Sequence, residues 1–222
     1  MKLDILYEDN HLIAVYKPLG ILIQGDETGD HSLMDDVNAF IKERDNKPGN
    51  VFLGLIHRLD QPVQGTVLFA KTSKGASRLA EQFREHKVRK VYHAIVEGVP
   101  PEIKGKLVDF LTKDRLKNKT SVNKDASEGA KRAELSYKVL KSDGLHSLVA
   151  IYPQTGRPHQ IRAQLAAVGC PIVGDIKYGA RAPLPDKSVA LAATGLTFHL
   201  ATKDEEKTIE VDIPRSWKKM IE

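Results

Sequence analysis

The chain has 222 residues, of which 41% are hydrophobic and 28% are charged, a composition typical of an ordinary globular protein and not of a disordered one. No stretch approaches the roughly 20 consecutive apolar residues of a membrane-spanning helix, so we expect no membrane partner. The formal net charge of +5 favours a polyanionic partner. The single cysteine, Cys170, excludes an internal disulfide, and acidic residues occupy the N-terminal positions where a signal peptide needs an apolar core. We therefore expect a cytoplasmic protein.

Short apolar runs between turn-forming residues predict strands in the first third of the chain. They lie at residues 3–8, 12–16, 21–24, 51–56 and 65–71. Helical spacing predicts a helix over residues 32–44, with Asp30 or Ser32 as N-cap, and another from Thr72 or Ser73 to about residue 86. The inward side chains of the second helix are expected to be Leu79, Ala80 and Phe83.

The rest of the chain continues the strand-rich pattern, with strands predicted at residues 90–96, 133–140, 146–152, 190–199 and 208–213. A helix is predicted over residues 160–168, ending at Gly169, and a short helix from Ser216. Residues 112–130 lack apolar periodicity and indicate a long flexible loop or hairpin. Many strands with few helices predict an α+β fold with a mixed, largely antiparallel β-sheet flanked by helices and loops. No boundary is evident, so we expect one domain over residues 1–222.

Two polar clusters are the strongest functional signals. His57-Arg58-Leu59-Asp60 follows the apolar run at residues 51–56, and Pro62 then biases the chain toward a constrained turn. The second cluster runs from Gly156 to Arg162. Taken alone, the first cluster also fits a turn-capping aspartate, a solvated arginine and a structural histidine.

Basic residues concentrate in two further segments. Residues 112–132 hold seven basic and three acidic side chains, and residues 84–90 form a smaller basic group before Tyr92. Isolated charge runs are usually solvated loops. Beside a site that acts on a nucleic acid, contacts with phosphates would be the better interpretation.

Several motifs together resemble the RNA pseudouridine synthases of the RluA type. They are H-R-L-D with P-x-x-G at residues 57–65, K-x-Y at 90–92, G-R-P-H-Q-I-R at 156–162 and G-C-P-I-V-G-D at 169–175. The resemblance covers roughly residues 4–217. It implies the pseudouridine synthase fold, with its sheet around a central RNA-binding cleft, and isomerisation of uridine in structured ribosomal or transfer RNA. We expect a monomer without the separate N-terminal S4-like domain of some relatives.

The resemblance also implies site residues. Asp60 matches the catalytic carboxylate, Arg162 its ion-pair partner and Tyr92 the tyrosine that lies against the uracil. Arg58 matches the arginine that enters the RNA and takes the place of the extruded base. The other RNA-binding residues flank these motifs or lie in the basic segment: His57, Gln61, Lys90, Lys113, Arg115, Arg157, His159 and Gln160. Gln61 and Gln64 depart from the family pattern, which frequently has Arg and Ser there.

Uridine isomerisation needs no cofactor or metal, because it involves no net redox change and no transfer to a second molecule. The sequence accordingly has neither a phosphate-cradling nor a dinucleotide-binding glycine motif. An aspartate has a reference pKa of about 3.9, so it is ionised at neutral pH and needs no activating base.

Two alternatives remain open at the level of sequence. A catalytically weak RNA-binding protein that retains the synthase cleft is the first, and Gln61 and Gln64 are its support. The second is hydrolysis, by Cys170 with His159 or by a metal on His57, Asp60 and His159. An apolar context around Cys170 and the lack of compact metal-ligand spacing argue against it.

Overall fold

A computed structural model of the chain describes residues 3–25, 29–46, 48–126 and 128–221. In chain order, the strands are β1 (Ile5–Glu8), β2 (Leu12–Lys17), β3 (Gly54–Leu55), β4 (Gln64–Ala70), β5 (Arg89–Glu97), β6 (Lys104–Asp114), β7 (Lys119–Asn123), β8 (Lys131–Ser142), β9 (His146–Pro153), β10 (Leu191–His199) and β11 (Glu206–Glu210). The α-helices are α1 (Leu33–Arg44), α2 (Ser73–Arg84) and α3 (Gln160–Ala167), with 3₁₀ helices at Ile176–Tyr178 and Arg215–Met220. No helix within the described ranges is long and apolar enough to cross a bilayer.

The chain divides into two compact units. Unit 1 comprises Met1–Val88 and Gly195–Val211, and unit 2 comprises Arg89–Thr194 and Asp212–Glu222. Strand β10 therefore contributes its first residues to unit 2 and its last residues to unit 1. A single domain over residues 1–222 stays a prediction.

Unit 1 is built on antiparallel strand pairs. Strand β2 pairs with β1 on one side and β4 on the other, β3 adds to the end of β4, and β10 pairs with β11. These strands and α2 bury one apolar cluster, formed by Leu12, Ala14, Leu68, Ala70, Leu79, Val88, Leu196, Phe198 and Ile209. Burial of this shared face holds the short strands of the unit together.

The helix starts of unit 1 follow the predicted caps. The Ser32 hydroxyl accepts from the Asp35 amide, while the Asp35 carboxylate accepts from the Ser32 amide at 2.9 Å, completing a capping box. Thr72 Oγ1 accepts from the Gly75 amide at 3.1 Å. The inward face predicted for α2 is correct at Leu79 but wrong at Ala80, which is exposed. Ala76, three residues before Leu79 and thus on its face of the helix, packs against the core instead.

Two of the predicted strands in unit 1 are wrong or too long. Residues 21–24 form no strand; Leu22 makes only an isolated bridge to Ser32. Of residues 51–56, only Gly54 and Leu55 pair with β4. The ladder stops there because the next amide of β4, that of Leu68, donates to the ring Nε2 of His57 at 2.9 Å and not to a backbone carbonyl.

Unit 2 is a series of antiparallel pairs in which β9 joins β5 to β8, and β6 joins β8 to β7. The pair β8 and β9 confirms the antiparallel strands predicted at residues 133–140 and 146–152. Of the two alternatives predicted for residues 112–130, the hairpin is present over residues 112–123. Strand β6, which sequence patterning missed, supplies the first arm of that hairpin. Its tip carries Leu116, whose side chain is 100% exposed.

Helix α3 ends as predicted. Gly169 adopts a φ of 80°, and its amide donates to the carbonyl of Ala166 at 3.0 Å. The amide of Cys170 donates to the carbonyl of Leu165 at 3.0 Å, which completes the pattern of a glycine-terminated helix.

Candidate active site

Asp60 lies in a tight turn of unit 1. Its carbonyl accepts from the Val63 amide at 3.0 Å, and the side chain before it, Leu59, is buried. Asp60 itself is partly buried, whereas Arg58 is exposed. Within the described part of the chain, the Arg58 guanidinium makes no hydrogen bond or ion pair, so it is available to an incoming molecule.

A lysine that the sequence analysis gave no role lies beneath this turn. Lys17, at the end of β2, is 0% exposed, and its ammonium donates to the carbonyls of Val63 at 2.7 Å, Gln61 at 2.9 Å and Pro18 at 3.1 Å. A lysine has three N–H donors, so all are used. Burial lowers the pKa of Lys17 to about 8, and the negative charge of Asp60 opposes that shift. The turn is thus anchored by a cation within electrostatic range of the predicted catalytic carboxylate.

The two glutamines that depart from the family pattern have structural contacts inside unit 1. Gln61 Nε2 donates to the carbonyl of Gly20 at 3.1 Å, and the Gly20 amide donates back to the carbonyl of Gln61 at 3.2 Å. Gln64 Oε1 accepts from the hydroxyl of Tyr16 at 2.7 Å. Both side chains therefore stabilise the turn of Asp60 and the strand that follows it.

His57 has the environment of a structural histidine. Besides accepting from Leu68, its ring stacks on Phe83 with centroids 5.1 Å apart and an interplanar angle of 20°. Its assignment to RNA binding stays a prediction, as does that of Gln61.

In unit 2, strand β5 carries Tyr92 and Lys90, and Tyr92 is paired with Ile151 of β9. Residues two apart on a strand point to the same face, so the two side chains are neighbours. Tyr92 is partly buried. Burial lowers the pKa of Lys90 to about 8.

Arg162 of α3 is held by two side chains of one short segment. Its Nε donates to Asp175 Oδ2 at 2.6 Å and its Nη2 to Asp175 Oδ1 at 2.8 Å, with side-chain exposures of 7% and 1%. The guanidinium carbon lies 5.1 Å from the ring centroid of Tyr178. A Cβ at Gly174 would lie 2.6 Å from the Ser188 carbonyl, so glycine is required just before this aspartate. This bidentate geometry fixes the plane of the guanidinium.

Tyr178 extends this cluster to the β6–β7 hairpin. Its hydroxyl accepts from the Thr120 amide at 2.8 Å and lies 2.8 Å from Nδ1 of His159. His159 has a φ of 52° and precedes α3, and the hydroxyl of Thr120 donates to the Pro158 carbonyl at 2.9 Å. Burial raises the pKa of Tyr178. His159 therefore helps to join the start of α3 to the hairpin, and its RNA-binding role stays a prediction.

Gln160 is buried and holds the loop before α3 through hydrogen bonds. Its Oε1 accepts from the Thr155 hydroxyl at 2.7 Å and the Arg157 amide at 3.0 Å, while its Nε2 donates to the Glu134 carbonyl at 3.1 Å. Arg157 donates from Nε to the carbonyl of Arg132 at 3.0 Å. These contacts fix the shape of the loop before α3, and the RNA-binding roles of Arg157 and Gln160 stay predictions.

The two basic residues predicted on the hairpin lie near its tip. Arg115 is exposed, and Lys113 Nζ donates to Asn118 Oδ1 at 2.5 Å. The hairpin thus places two cations at and next to its turn, which suits contact with a phosphate backbone.

The structure argues against the hydrolytic alternative at Cys170. The thiol is buried at 3% exposure, and burial raises its pKa, which is opposite to the activation of a cysteine nucleophile. Within the described ranges, no group of three or more His, Cys, Asp or Glu side chains is placed to hold a metal ion.

The predicted catalytic residues are distributed over both units, with Asp60 in unit 1 and Tyr92 and Arg162 in unit 2. The sequence did not predict that Lys17 holds the turn of Asp60, or that Asp175 and Tyr178 hold Arg162. A lysine ending the apolar strand L-I-A-V-Y-K and the glycine before Asp175 were the available signals.

Comparison with known proteins identifies the family. The model of the RNA pseudouridylate synthase family matches residues 11–167, more than half of the chain. The chain therefore belongs to the RNA pseudouridylate synthase family.

Individual relatives agree. The chain is 39% identical over 178 residues to the ribosomal large subunit pseudouridine synthase C of Buchnera aphidicola subsp. Schizaphis graminum, covering 80% of this chain and 54% of that protein. It is 39% identical over 192 residues to the tRNA pseudouridine synthase C of Haemophilus ducreyi, covering 81% of this chain and 75% of that protein. The chain thus spans about half the length of the first relative and three quarters of the second.

The fold has a close counterpart among solved structures. The human RNA pseudouridylate synthase domain containing 4 superposes with a TM-score of 0.81 at 26% identity, covering 97% of this chain and 90% of that one. The predicted α+β class and pseudouridine synthase fold are thereby confirmed.

Proposed function

We propose that the chain converts uridine to pseudouridine in structured ribosomal or transfer RNA. Asp60 is the catalytic carboxylate, Arg162 pairs with it, Tyr92 lies against the uracil and Arg58 assists extrusion of the base. One observation carries the proposal: in a chain of this family, Asp60 lies on a turn held by two hydrogen bonds from Lys17, to the carbonyls of Gln61 and Val63, and two residues after the exposed Arg58. Rigid support beneath a reactive group is what catalysis requires.

The chemistry explains why a fixed carboxylate matters. The N1–C1′ bond and the C5–H bond of uridine break, while a C5–C1′ bond and an N1–H bond form. An ionised aspartate supplies the negative charge that stabilises or captures the detached intermediate. A guanidinium near Asp60 keeps the carboxylate charged in a site shielded from water. Arg162, itself held by Asp175, meets the need for a cation of fixed orientation.

Extraction of the target base costs a few kcal/mol, and one aromatic stack recovers about 1–3 kcal/mol. Stacking on Tyr92 alone therefore does not securely offset the free-energy cost of extracting the base. Arg58 is exposed and beside Asp60, so its guanidinium is suited to fill the space left in the RNA stack. We extend the proposal to a monomer acting in the cytoplasm.

Release of tritium from C5 of uridine tests the proposal. RNA transcripts of large-subunit ribosomal RNA and of transfer RNA, labelled at C5, should lose label to water with the wild-type chain. Asp60→Asn keeps the side-chain shape but removes the charge, and it should release no label above background. If the wild type binds these RNAs without releasing label, the chain is the binding protein of the alternative interpretation.

A further inference from the structure

Lys17 is buried and Lys90 is partly buried, and their ammonium groups differ in the number of acceptors they contact. Burial lowers the pKa of both Lys17 and Lys90 to about 8, so each ammonium is shielded from part of its water. Lys17 replaces that water with three carbonyl acceptors at 2.7 to 3.1 Å. Within the described ranges, Lys90 has one acceptor, the carbonyl of Thr155, at the long distance of 3.4 Å.

This under-coordination has a physical cost. An ammonium has three N–H donors, and a desolvated donor without an acceptor is unfavourable, more so when it is charged. No charged partner offsets the loss, since desolvation is the one cause that shifts the pKa of Lys90. Among the described residues, the partly buried ammonium therefore keeps N–H donors that can bind an anionic ligand.

The loop before α3 passes close to the Lys90 ammonium. The adjacent loop residue is Gly156, and a Cβ there would lie 4.0 Å from Nζ, with no nearer contact. A longer side chain at residue 156 would cover the ammonium. Gln160 holds this loop in place through the Thr155 hydroxyl and the Arg157 amide.

The position of Lys90 relates it to the reacting nucleotide. On strand β5, Lys90 and Tyr92 leave the same face, and alternate strand residues are about 6.6 Å apart. That separation is within the span of one nucleotide from base to phosphate. A nucleotide whose uracil contacts Tyr92 therefore has a backbone phosphate within reach of Lys90.

We propose that Lys90 forms a built phosphate subsite, in which its ammonium binds a phosphodiester oxygen beside the target uridine while Gly156 keeps the approach open. The inference rests on the proposed function, because it takes Tyr92 as the uracil contact. Under this proposal Lys90 binds a phosphodiester oxygen of the RNA. Lys17 has a different role, because all of its donors are used within the protein.

The experiment is equilibrium RNA binding at about pH 7 between about 50 and 300 mM KCl, with the same unmodified transcripts used for tritium release. Each phosphate contact contributes about 0.7–0.9 to the slope of log affinity against log salt concentration. Lys90→Met should reduce the slope by about that amount and weaken binding about 10-fold or more at the lowest salt. Lys90→Arg should restore the slope, since it keeps the charge. The exposed Lys42 supplies the matched control, because Lys42→Met should change neither quantity.

Gly156→Val provides a second variant that leaves Lys90 in place. It should weaken RNA binding by covering the ammonium, so the inference stays testable if Lys90→Met folds poorly. An unchanged salt slope in both Lys90→Met and Gly156→Val, with the wild type binding and releasing tritium, would overturn the phosphate subsite alone. A wild type that neither binds RNA nor releases tritium would overturn the proposed function together with it.

Discussion

Lys17 Nζ lies 2.7 Å from the main-chain oxygen of Val63, three residues beyond Asp60. The same ammonium holds the carbonyl of Gln61, so both main-chain oxygens flanking Pro62 bind one cation. Lys17 belongs to β2, which pairs along its length with β4, the strand that begins just after the turn. The orientation of Asp60 therefore depends on a lysine that has no exposed surface.

Replacing Lys17 by Met should destabilise the chain and lower its activity. The variant removes the Lys17 donor from three carbonyl oxygens, of which only that of Gln61 keeps a second donor, the Gly20 amide, and unsatisfied buried acceptors cost about 1–3 kcal/mol. We expect a fall of this size in the free energy of unfolding, measured by urea denaturation, and a fall in kcat larger than any rise in KM. Lys42→Met, on the exposed face of α1, should change the unfolding free energy by less than about 0.5 kcal/mol. Equal unfolding free energies and equal kcat values for Lys17→Met and Lys42→Met would contradict an anchoring role for Lys17.

The depressed pKa of Lys17 gives stability a specific pH dependence. In the folded state the Lys17 ammonium loses its proton near pH 8. In the unfolded state it keeps the proton up to the ordinary lysine pKa of 10.5. Between these values the unfolded state binds more protons, so the free energy of unfolding rises with pH. Lys90, with a pKa of about 8, acts in the same direction.

Urea denaturation at about pH 7.5 and about pH 9.5 tests this sign, because tyrosines with a reference pKa near 10 add little below that limit. The wild type should gain stability between the two pH values. Lys17→Met should gain less, since one of the two responsible groups is gone. A wild type that loses stability over this interval would show that the two ammonium groups are not desolvated in solution.

The ion pair of Arg162 and Asp175 should matter far more than the exposed pair of Arg181 and Glu97. Asp175→Asn breaks the buried bidentate ion pair that fixes the guanidinium plane, and breaking a buried pair costs about 3–5 kcal/mol. Arg181 is 87% exposed, so Arg181→Gln should cost less than about 1 kcal/mol. We expect Asp175→Asn to reduce both the unfolding free energy and kcat for tritium release, with little change in either for Arg181→Gln. Normal kcat in a folded Asp175→Asn enzyme would remove the orientation of Arg162 from the mechanism.

The parts of the fold that the sequence predicted are those with a local cause. Ser32 and Thr72 cap helices through their own hydroxyls, and Gly169 ends α3 because it accepts a left-handed backbone. The strand at residues 51–56 failed for a non-local reason. A histidine ring, not a backbone carbonyl, accepts from the Leu68 amide, and no periodicity in the sequence reports that exchange.

The residues of the candidate site also divide into those that the sequence predicted and those that depend on non-local contacts. Residues inside the quoted motifs, such as Asp60 and Arg162, were found because they stand in recognisable order along the chain. Lys17 and Asp175 act on them from distant positions, through bonds that depend on the packing of strands and loops. Their types were visible in the sequence, a lysine after apolar residues and an aspartate after glycine. Their partners became visible only with the fold.

Arg58 should affect activity without affecting stability. Its side chain is exposed and, in the described part of the structure, contacts no polar partner, so Arg58→Ala removes no internal interaction. Because base extrusion costs a few kcal/mol, losing the group that fills the gap should slow tritium release by about 10- to 100-fold. The melting temperature should stay at the wild-type value. Arg78→Ala, at an exposed position of α2, serves as the control and should leave the rate unchanged. A normal rate for Arg58→Ala would exclude its part in extrusion.

The β6–β7 hairpin should govern how tightly structured RNA binds and not how fast it reacts. Arg115 is exposed at the tip, and Lys113 pairs with Thr120, whose amide donates to the Tyr178 hydroxyl and so fixes the hairpin next to its turn. The double variant Lys113→Ala with Arg115→Ala should raise KM about 10-fold and lower the salt slope of binding by about 1 to 2, at unchanged kcat. Exchanging the two residues, Lys113→Arg with Arg115→Lys, keeps the charge and should retain wild-type KM. A fall in kcat at saturating RNA would instead place these residues in the positioning of the reacting nucleotide, because contacts that only bind the phosphate backbone act equally on substrate and transition state.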